Sequence, residues 1–194
     1  MDRIEERRLI KRAAKGDHAA AEIFVRTYQH SVYNYILRMC GRPDIAEDVV
    51  QEAFVRALTG LDRFDPRFRF STWLFVIARR VYLNWIQKHR PDSNSELVEA
   101  RGGPAKLPET AMTRSDATGC IRDSLQAALM GLPPDQREVL ILFHQQEWSI
   151  RVIAQHLDLP EGTVKSHLHR GRKRLRLLLE PYRTRIEDEA EVLG

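Results

Sequence analysis

The stretch SIRVIAQHLDLPEGTVKSHLHRGRKRLRLLL, Ser149–Leu179, decides the fold of this chain. Ser149 is a good N-cap residue, and Ile150, Ile153, Ala154 and Leu157 follow at helical spacing. Asp158-Leu159-Pro160 ends that helix, because Pro160 lacks a backbone donor and disfavours helical geometry at Leu159. Glu161-Gly162-Thr163 restarts the chain, with Thr163 expected as a cap. At about 100° per residue, Val164, Leu168, Gly171 and Leu175 share one face of the second helix. Lys165, Ser166, His169 and Lys173 lie opposite, flanked by Arg170, Arg172 and Arg176. One face can pack on the first helix while the other meets a polyanion. That is the helix-turn-helix pattern, whose second helix enters the DNA major groove. A charge run by itself is usually a solvated face; the turn, the caps and the two-face split together point to DNA.

The 194 residues are enough for one or two small domains with cores of modest size. The net charge is only +4, but it is unevenly placed. Arg63 to Arg90 holds seven basic residues against Asp65 alone, and Ser149 to Arg176 holds seven against Asp158 and Glu161. Two basic patches imply two contacts with nucleic acid. Cys40 and Cys120 stand far apart, without His or Cys at ligand spacing, and read as reduced thiols. The N-terminal stretch has no apolar core of a signal peptide, and no apolar run approaches the roughly 20 residues that span a bilayer. The chain therefore reads as cytoplasmic, with no membrane insertion. No phosphate loop or nucleophile–base signature is present, and His167 and His169 fall on different sides of one helix. No catalysis, cofactor or metal is expected.

Taken in order, Ile4–Lys15 is a short charged helix with Ile4, Leu9, Ile10 and Ala13-Ala14 on its apolar side. Gly16 stops it and Asp17 can cap the next helix, which runs to about Cys40 with Ile23, Phe24, Val32, Ile36 and Met39 as core. In Asp44–Leu58, Ile45, Ala46, Val49, Val50, Ala53 and Ala57 make one face, with Phe54 at its edge. Asp44, Glu47, Asp48, Gln51 and Glu52 make a continuous acidic and amide face, usually just solvated, on which a basic protein partner could dock. The loop Gly60–Phe70 alternates Arg63, Arg67 and Arg69 with Phe64, Phe68 and Phe70. Aromatics beside arginines stack on unpaired bases and hold phosphates, and they also close loops over cores.

Ser71 is expected to cap a helix with Leu74, Ile77, Ala78, Val81 and Trp85 buried. Trp73, Arg80, Asn84 and Gln87 form a second stripe suited to single-stranded DNA, with Trp73 part buried and part available. Pro91–Asp116 shifts to Pro, Gly, Ser and acidic residues and reads as a flexible linker. A second domain begins near Ala117 with a helix to Met130 (Ile121, Leu125, Leu129). After the Pro133-Pro134 turn comes a helix with Val139, Leu140, Leu142 and Phe143 as core. Pro181 closes the basic helix, and an acidic tail follows. The expected fold is all-α: a helical domain over residues 1–90, a linker over 91–116, a helix-turn-helix domain over 117–180 and a tail over 181–194.

Four segments in this order, DIAEDVVQEAFVRAL, FRFSTWLFVIARR, LPPDQREVLILF and LPEGTVKSHLHRGRKRLR, resemble signature segments of the extracytoplasmic-function sigma factors, within the sigma-70 class of bacterial RNA polymerase initiation factors. The resemblance implies that the first domain is the region 2 bundle. Glu47, Asp48, Gln51 and Glu52 would then meet the clamp helices of the polymerase β′ subunit. Arg67, Phe68, Arg69, Ser71, Trp73, Arg80 and Asn84 would melt and read the −10 element. The second domain would be region 4, placing Thr163, Lys165, Ser166, His169, Arg170 and Lys173 on the −35 element and touching the β flap. It also implies core RNA polymerase, promoter DNA and an anti-sigma factor as partners. At position 80 the family very often has Asn; Arg80 more readily takes phosphate or guanine, so no family −10 sequence is carried over. His169 likewise leaves the −35 sequence open. The alternative from another class is a stand-alone helix-turn-helix regulator whose first domain senses a ligand or dimerises.

Overall fold

The computed structural model describes residues 1–89 and 117–182, and the expected linker and nearly all of the expected tail lie outside the described residues. The chain divides into two compact units, Met1–Glu96 and Leu97–Gly194, and the described residues of both are helical, without strands.

The first unit holds α1 (Arg3–Ala13), α2 (His18–Cys40), α3 (Pro43–Thr59) and α4 (Phe70–Lys88). Its boundaries follow local chemistry. Gly16 takes a left-handed φ of 87°, and the Asp17 side chain accepts the Ala20 N–H at 3.1 Å to start α2. Gly41, also left-handed, ends α2, and Pro43 occupies the first turn of α3. The core is built from Phe24, Tyr35, Ile36, Val49, Phe70, Leu74 and Phe75, all essentially inaccessible. All six apolar residues expected on α3 are buried.

Other expectations require correction. Ile4 is 79% exposed, and the inward position on α1 belongs instead to Glu6, 1% exposed, on one stripe with Leu9 and Ile10. Ile23 is also exposed, one residue off the stripe that carries Ala20 and Phe24. On α4 the inward stripe includes Phe75 and Tyr82, while Ile77 and Trp85 are half-buried. Ser71 is no cap. The helix begins at Phe70, two residues earlier than a Ser71 cap would place it, its N-cap Arg69 makes no side-chain cap bond, and the Phe70 N–H is held by Glu6 Oε1 at 3.1 Å.

The second unit holds α5 (Ala117–Met130), α6 (Pro134–His144), α7 (Ile150–Leu157) and α8 (Glu161–Leu179). Ser149 caps α7 by accepting the Val152 N–H at 3.3 Å, and Asp158 closes it in the left-handed conformation (φ 56°). Helix α8 starts at Glu161, so Thr163 sits inside its first turn and is not its cap. Val139, Leu142, Ile153 and Val164 form the centre of the core. Leu129 is buried in α5, together with Ser124 and Ala128, whereas Ile121 and Leu125 are half-buried. Gly171 is needed where α8 crosses α6: a Cβ there would lie 3.0 Å from Leu140 Cδ1 and 3.4 Å from Gln136 Cβ. Arg137 and Glu138 are buried within α6, beside Val139 and Leu140.

Candidate nucleic-acid interface

Helix α8 sorts its side chains as its periodicity requires. Val164, Leu168 and Gly171 face inward, and Lys165, Ser166, His169, Arg170 and Lys173 are exposed on one continuous surface, with Thr163 half-buried at its start. Glu161 in the first turn is the only acidic residue of the helix, and it lies at the positive end of the helix dipole. Beside this face runs a groove of about 680 Å³ with Phe143, Ile150 and Leu168 in its lining and Lys165, His169 and Lys173 along it. Arg172 bounds it, with its guanidinium carbon 5.1 Å from the Phe143 ring centre and its Nε donating to His144 Nε2 at 3.1 Å. Partial burial, followed by the Arg172 charge, holds the His144 imidazole below its usual pKa.

In the first unit, the Arg/Phe loop divides by role. Phe70 is fully buried, with its ring centre 4.2 Å from Phe24 and 5.7 Å from Tyr28. Phe64 is half-buried against Trp73 at 5.3 Å, and Trp73 also meets the edge of Phe70 at 5.8 Å. Phe68 alone of the three is displayed, 51% exposed, beside the Arg67 side chain, 84% exposed. Asp65 makes the turn that displays them: its Oδ1 accepts the Arg67 N–H at 2.9 Å and its C=O accepts the Phe68 N–H at 3.1 Å. Its carboxylate pairs with the Arg67 guanidinium, which pulls the Asp65 pKa down. Ser71 and Trp73 are half-buried in the first turn of α4. Arg80 and Asn84 are exposed on the Trp73 side of that helix, about 10 Å and about 16 Å further along its axis. The arrangement brings Arg67, Phe68, Arg69, Ser71 and Trp73 together and leaves Arg80 and Asn84 as an extension of the same track.

On α3, Asp44, Glu47, Asp48, Gln51 and Glu52 are all exposed. They are not equivalent. Arg42 pairs with Asp44 and lowers its pKa, and Arg56 Nε holds Glu52 Oε1 at 2.6 Å. Glu47 and Asp48 have no ion-pair partner among the described residues, so the unbalanced charge of the stripe sits in its middle.

Sequence reading missed three buried charged residues. Glu6, Arg137 and Glu138 each lie at helical spacing from apolar neighbours that were assigned correctly, such as Leu9-Ile10 and Leu140. That spacing was the available signal. Among the described residues no group of His, Cys, Asp or Glu could hold a metal, and no helix is long and apolar enough to cross a membrane. Cys40 is a free thiol whose pKa burial pushes up.

Fold and surfaces together define a two-unit helical protein with a helix-turn-helix, a second Arg/aromatic surface and an exposed acidic helix face. The sigma-70 region 2 family matches residues 24–91, and the sigma-70 region 4 family matches residues 122–175. The ECF RNA polymerase sigma factor SigW of Bacillus subtilis is 35% identical over 177 residues, covering 86% of this chain and 92% of its own. The ECF RNA polymerase sigma-E factor of Escherichia coli K12 is 32% identical over 190 residues, covering 93% and 97%. The sigma factor RpoE of Bartonella quintana, solved in complex with the anti-sigma factor NepR, aligns with a TM-score of 0.64 at 25% identity, over 82% of this chain and 96% of that one. The chain belongs to the extracytoplasmic-function group of the sigma-70 RNA polymerase sigma factors.

Proposed function

We propose that the two units divide promoter recognition between them. Residues 1–90 grip core RNA polymerase through Glu47, Asp48, Gln51 and Glu52 on the β′ clamp helices. The same domain opens the −10 element and reads it with Arg67, Phe68, Arg69, Ser71, Trp73, Arg80 and Asn84. Residues 117–180 hold the −35 element in the major groove with Thr163, Lys165, Ser166, His169, Arg170 and Lys173, and touch the β flap. Residues 91–116 tether the two, so that two weak contacts act jointly through effective concentration. The protein is no enzyme itself; it redirects one, in the cytoplasm, and an anti-sigma factor restrains it.

The observation that carries this reading is the pairing, within one unit, of an acidic helix face with a loop that displays Phe68 and Arg67. A stacking ring beside a guanidinium suits unpaired bases, and unpairing costs a few kcal/mol per flipped base, which stacking and pocket contacts offset. Run-off transcription with purified core polymerase tests it. Specific initiation that depends on this chain supports the reading, and failure of the chain to associate with core refutes it.

A further inference from the structure

The loop that displays Phe68 is held from outside its own sequence. Glu6 lies in α1, 64 residues from Phe70 in the chain. Its carboxylate is almost wholly buried, a position that carboxylates rarely take unless they are paired. Three partners converge on it. Oε1 accepts the Phe70 N–H at 3.1 Å, Oε2 accepts the Tyr28 hydroxyl at 3.4 Å, and Arg69 Nε lies 3.7 Å from Oε2. The Phe70 N–H is one of the donors that a helix N-terminus leaves unsatisfied, and a carboxylate there also meets the positive end of the α4 dipole. Burial and the Glu6 charge both push the Tyr28 pKa up, which keeps that hydroxyl a donor.

The neighbouring residues of the N-terminal segment bind the loop's backbone. Arg3 Nη2 donates to the Arg67 C=O at 2.7 Å, Arg7 Nη2 donates to the Pro66 C=O at 3.2 Å, and Arg69 Nη2 reaches back to the Met1 C=O at 3.0 Å. Residues 66, 67, 69 and 70 are thus each fixed by the first helix or the residues just before it. Every one of these bonds uses main-chain groups or the Arg69 head, and none uses the Phe68 ring or the Arg67 guanidinium. The segment holds the loop while leaving its tip free.

We infer that the N-terminal segment is a clamp that pre-forms the −10-reading loop, with Glu6 as a positioning residue and Arg3 and Arg7 as its outer stays. This rests on the assignment of the Phe68 loop to −10 reading proposed above. A loop held in its binding conformation avoids the affinity penalty of a fractionally populated competent state. If release of the clamp drops that fraction to a tenth, the apparent affinity for the melted strand falls about tenfold.

The test uses holoenzyme assembled from the full chain and core polymerase. The probe is a single-stranded oligonucleotide carrying the non-template −10 segment of a promoter that the wild-type holoenzyme selects from a random duplex pool. Glu6→Ala is expected to weaken oligonucleotide binding about tenfold while co-elution with core stays within about twofold of wild type. A general loss of the bundle would lower both, since α3 packs in the same unit. Glu6→Gln keeps an acceptor for the Phe70 N–H and is expected to recover part of the loss. The double variant Arg3→Ala with Arg7→Ala removes exposed side chains only, and it decides the matter if Glu6→Ala unfolds. It should weaken binding severalfold without altering the salt dependence. A salt slope lower by about 0.7 per arginine would mean direct phosphate contacts and would overturn the clamp. Phe68→Ala is the reference. If it weakens oligonucleotide binding and the clamp variants do not, the clamp is wrong. If it has no effect either, the loop reading itself is wrong and the clamp falls with it.

Discussion

Arg137→Met should loosen the second unit by roughly a hundredfold in its opening equilibrium. The side chain is only 7% exposed and gathers the end of α5: Nε donates to the Leu129 C=O at 2.9 Å, and Nη2 donates to the C=O groups of Met130 at 3.2 Å and Leu132 at 3.0 Å. The Leu129 and Met130 C=O groups are among the acceptors that a helix C-terminus leaves without intrahelical donors, and Leu132 lies in the turn just beyond α5. The Leu129 C=O also takes the Leu132 N–H at 3.0 Å, so it survives the loss. Among the described residues the Met130 and Leu132 C=O groups have no second backbone donor. Hydrogen bonds from a charged group contribute about 1.5–3 kcal/mol each, so two of them set a cost near 3 kcal/mol at the low end of that range. Met retains the apolar stem, which isolates the hydrogen-bonding contribution from packing. Arg137→Lys offers one ammonium in place of the fork and should lose about half as much. The assay is amide hydrogen exchange on the full chain. Amides of α6 and α8 should exchange about a hundredfold faster, because about 1.4 kcal/mol corresponds to tenfold, while those of α2 to α4 hold their rates. Acceleration below about tenfold in α6 and α8 would refute the reasoning, and so would an equal change in both units.

The acidic face should be the polymerase handle: Asp48→Arg with Glu52→Arg abolishes association with core, and unchanged co-elution would remove that assignment. Lys165→Ala and Arg170→Ala should each weaken holoenzyme binding to duplex carrying the −35 element and leave core association intact. A side chain that neutralises a phosphate should, when truncated, lower the salt slope by about 0.9, whereas truncating one that reads a base edge would lower affinity with the slope unchanged. Normal promoter binding by both variants would contradict the assignment of α8. The second unit should also lose stability in mild acid. The folded His144 pKa lies below its usual 6.5, so its contribution is complete above about pH 6.5 and declines as the unfolded chain takes up a proton first. Urea midpoints between about pH 7.5 and about pH 5.5 should fall, and His144→Gln should flatten that dependence; an equal fall in the variant would assign the effect elsewhere.

What could be read from the sequence was whatever depends on near neighbours. Ser149, Gly16 and Asp17 set helix ends through bonds or dihedrals a few residues away, and they do so in the fold. The two faces of α8 follow from a single period. Two of the misreadings share one cause. Ser71 has the right chemistry for a cap, but the start of α4 is set by a carboxylate 64 residues away. Ile4 is apolar enough to be buried, but Glu6 has more to gain there because partners wait for it. Hydrophobicity ranks residues by their cost in water, and it cannot see a hydrogen bond to a residue on another helix.

The same contrast bears on how the two DNA surfaces act. Helix α8 presents its cations on a scaffold that is rigid by its own backbone bonding, so in the proposed reading its contribution would be insensitive to distant changes. The Phe68 loop is short and irregular, and its order comes from Asp65 within and from α1 outside. Its proposed contribution, stacking on an unpaired base, would depend on where one ring points. Meanwhile Arg42 and Arg56 balance the two ends of the acidic stripe, and Glu47 and Asp48 keep a compact negative centre on a chain with a positive excess. Keeping opposite charges on separate helices would let one small protein attract a polyanion and a basic partner at once, without either neutralising the other.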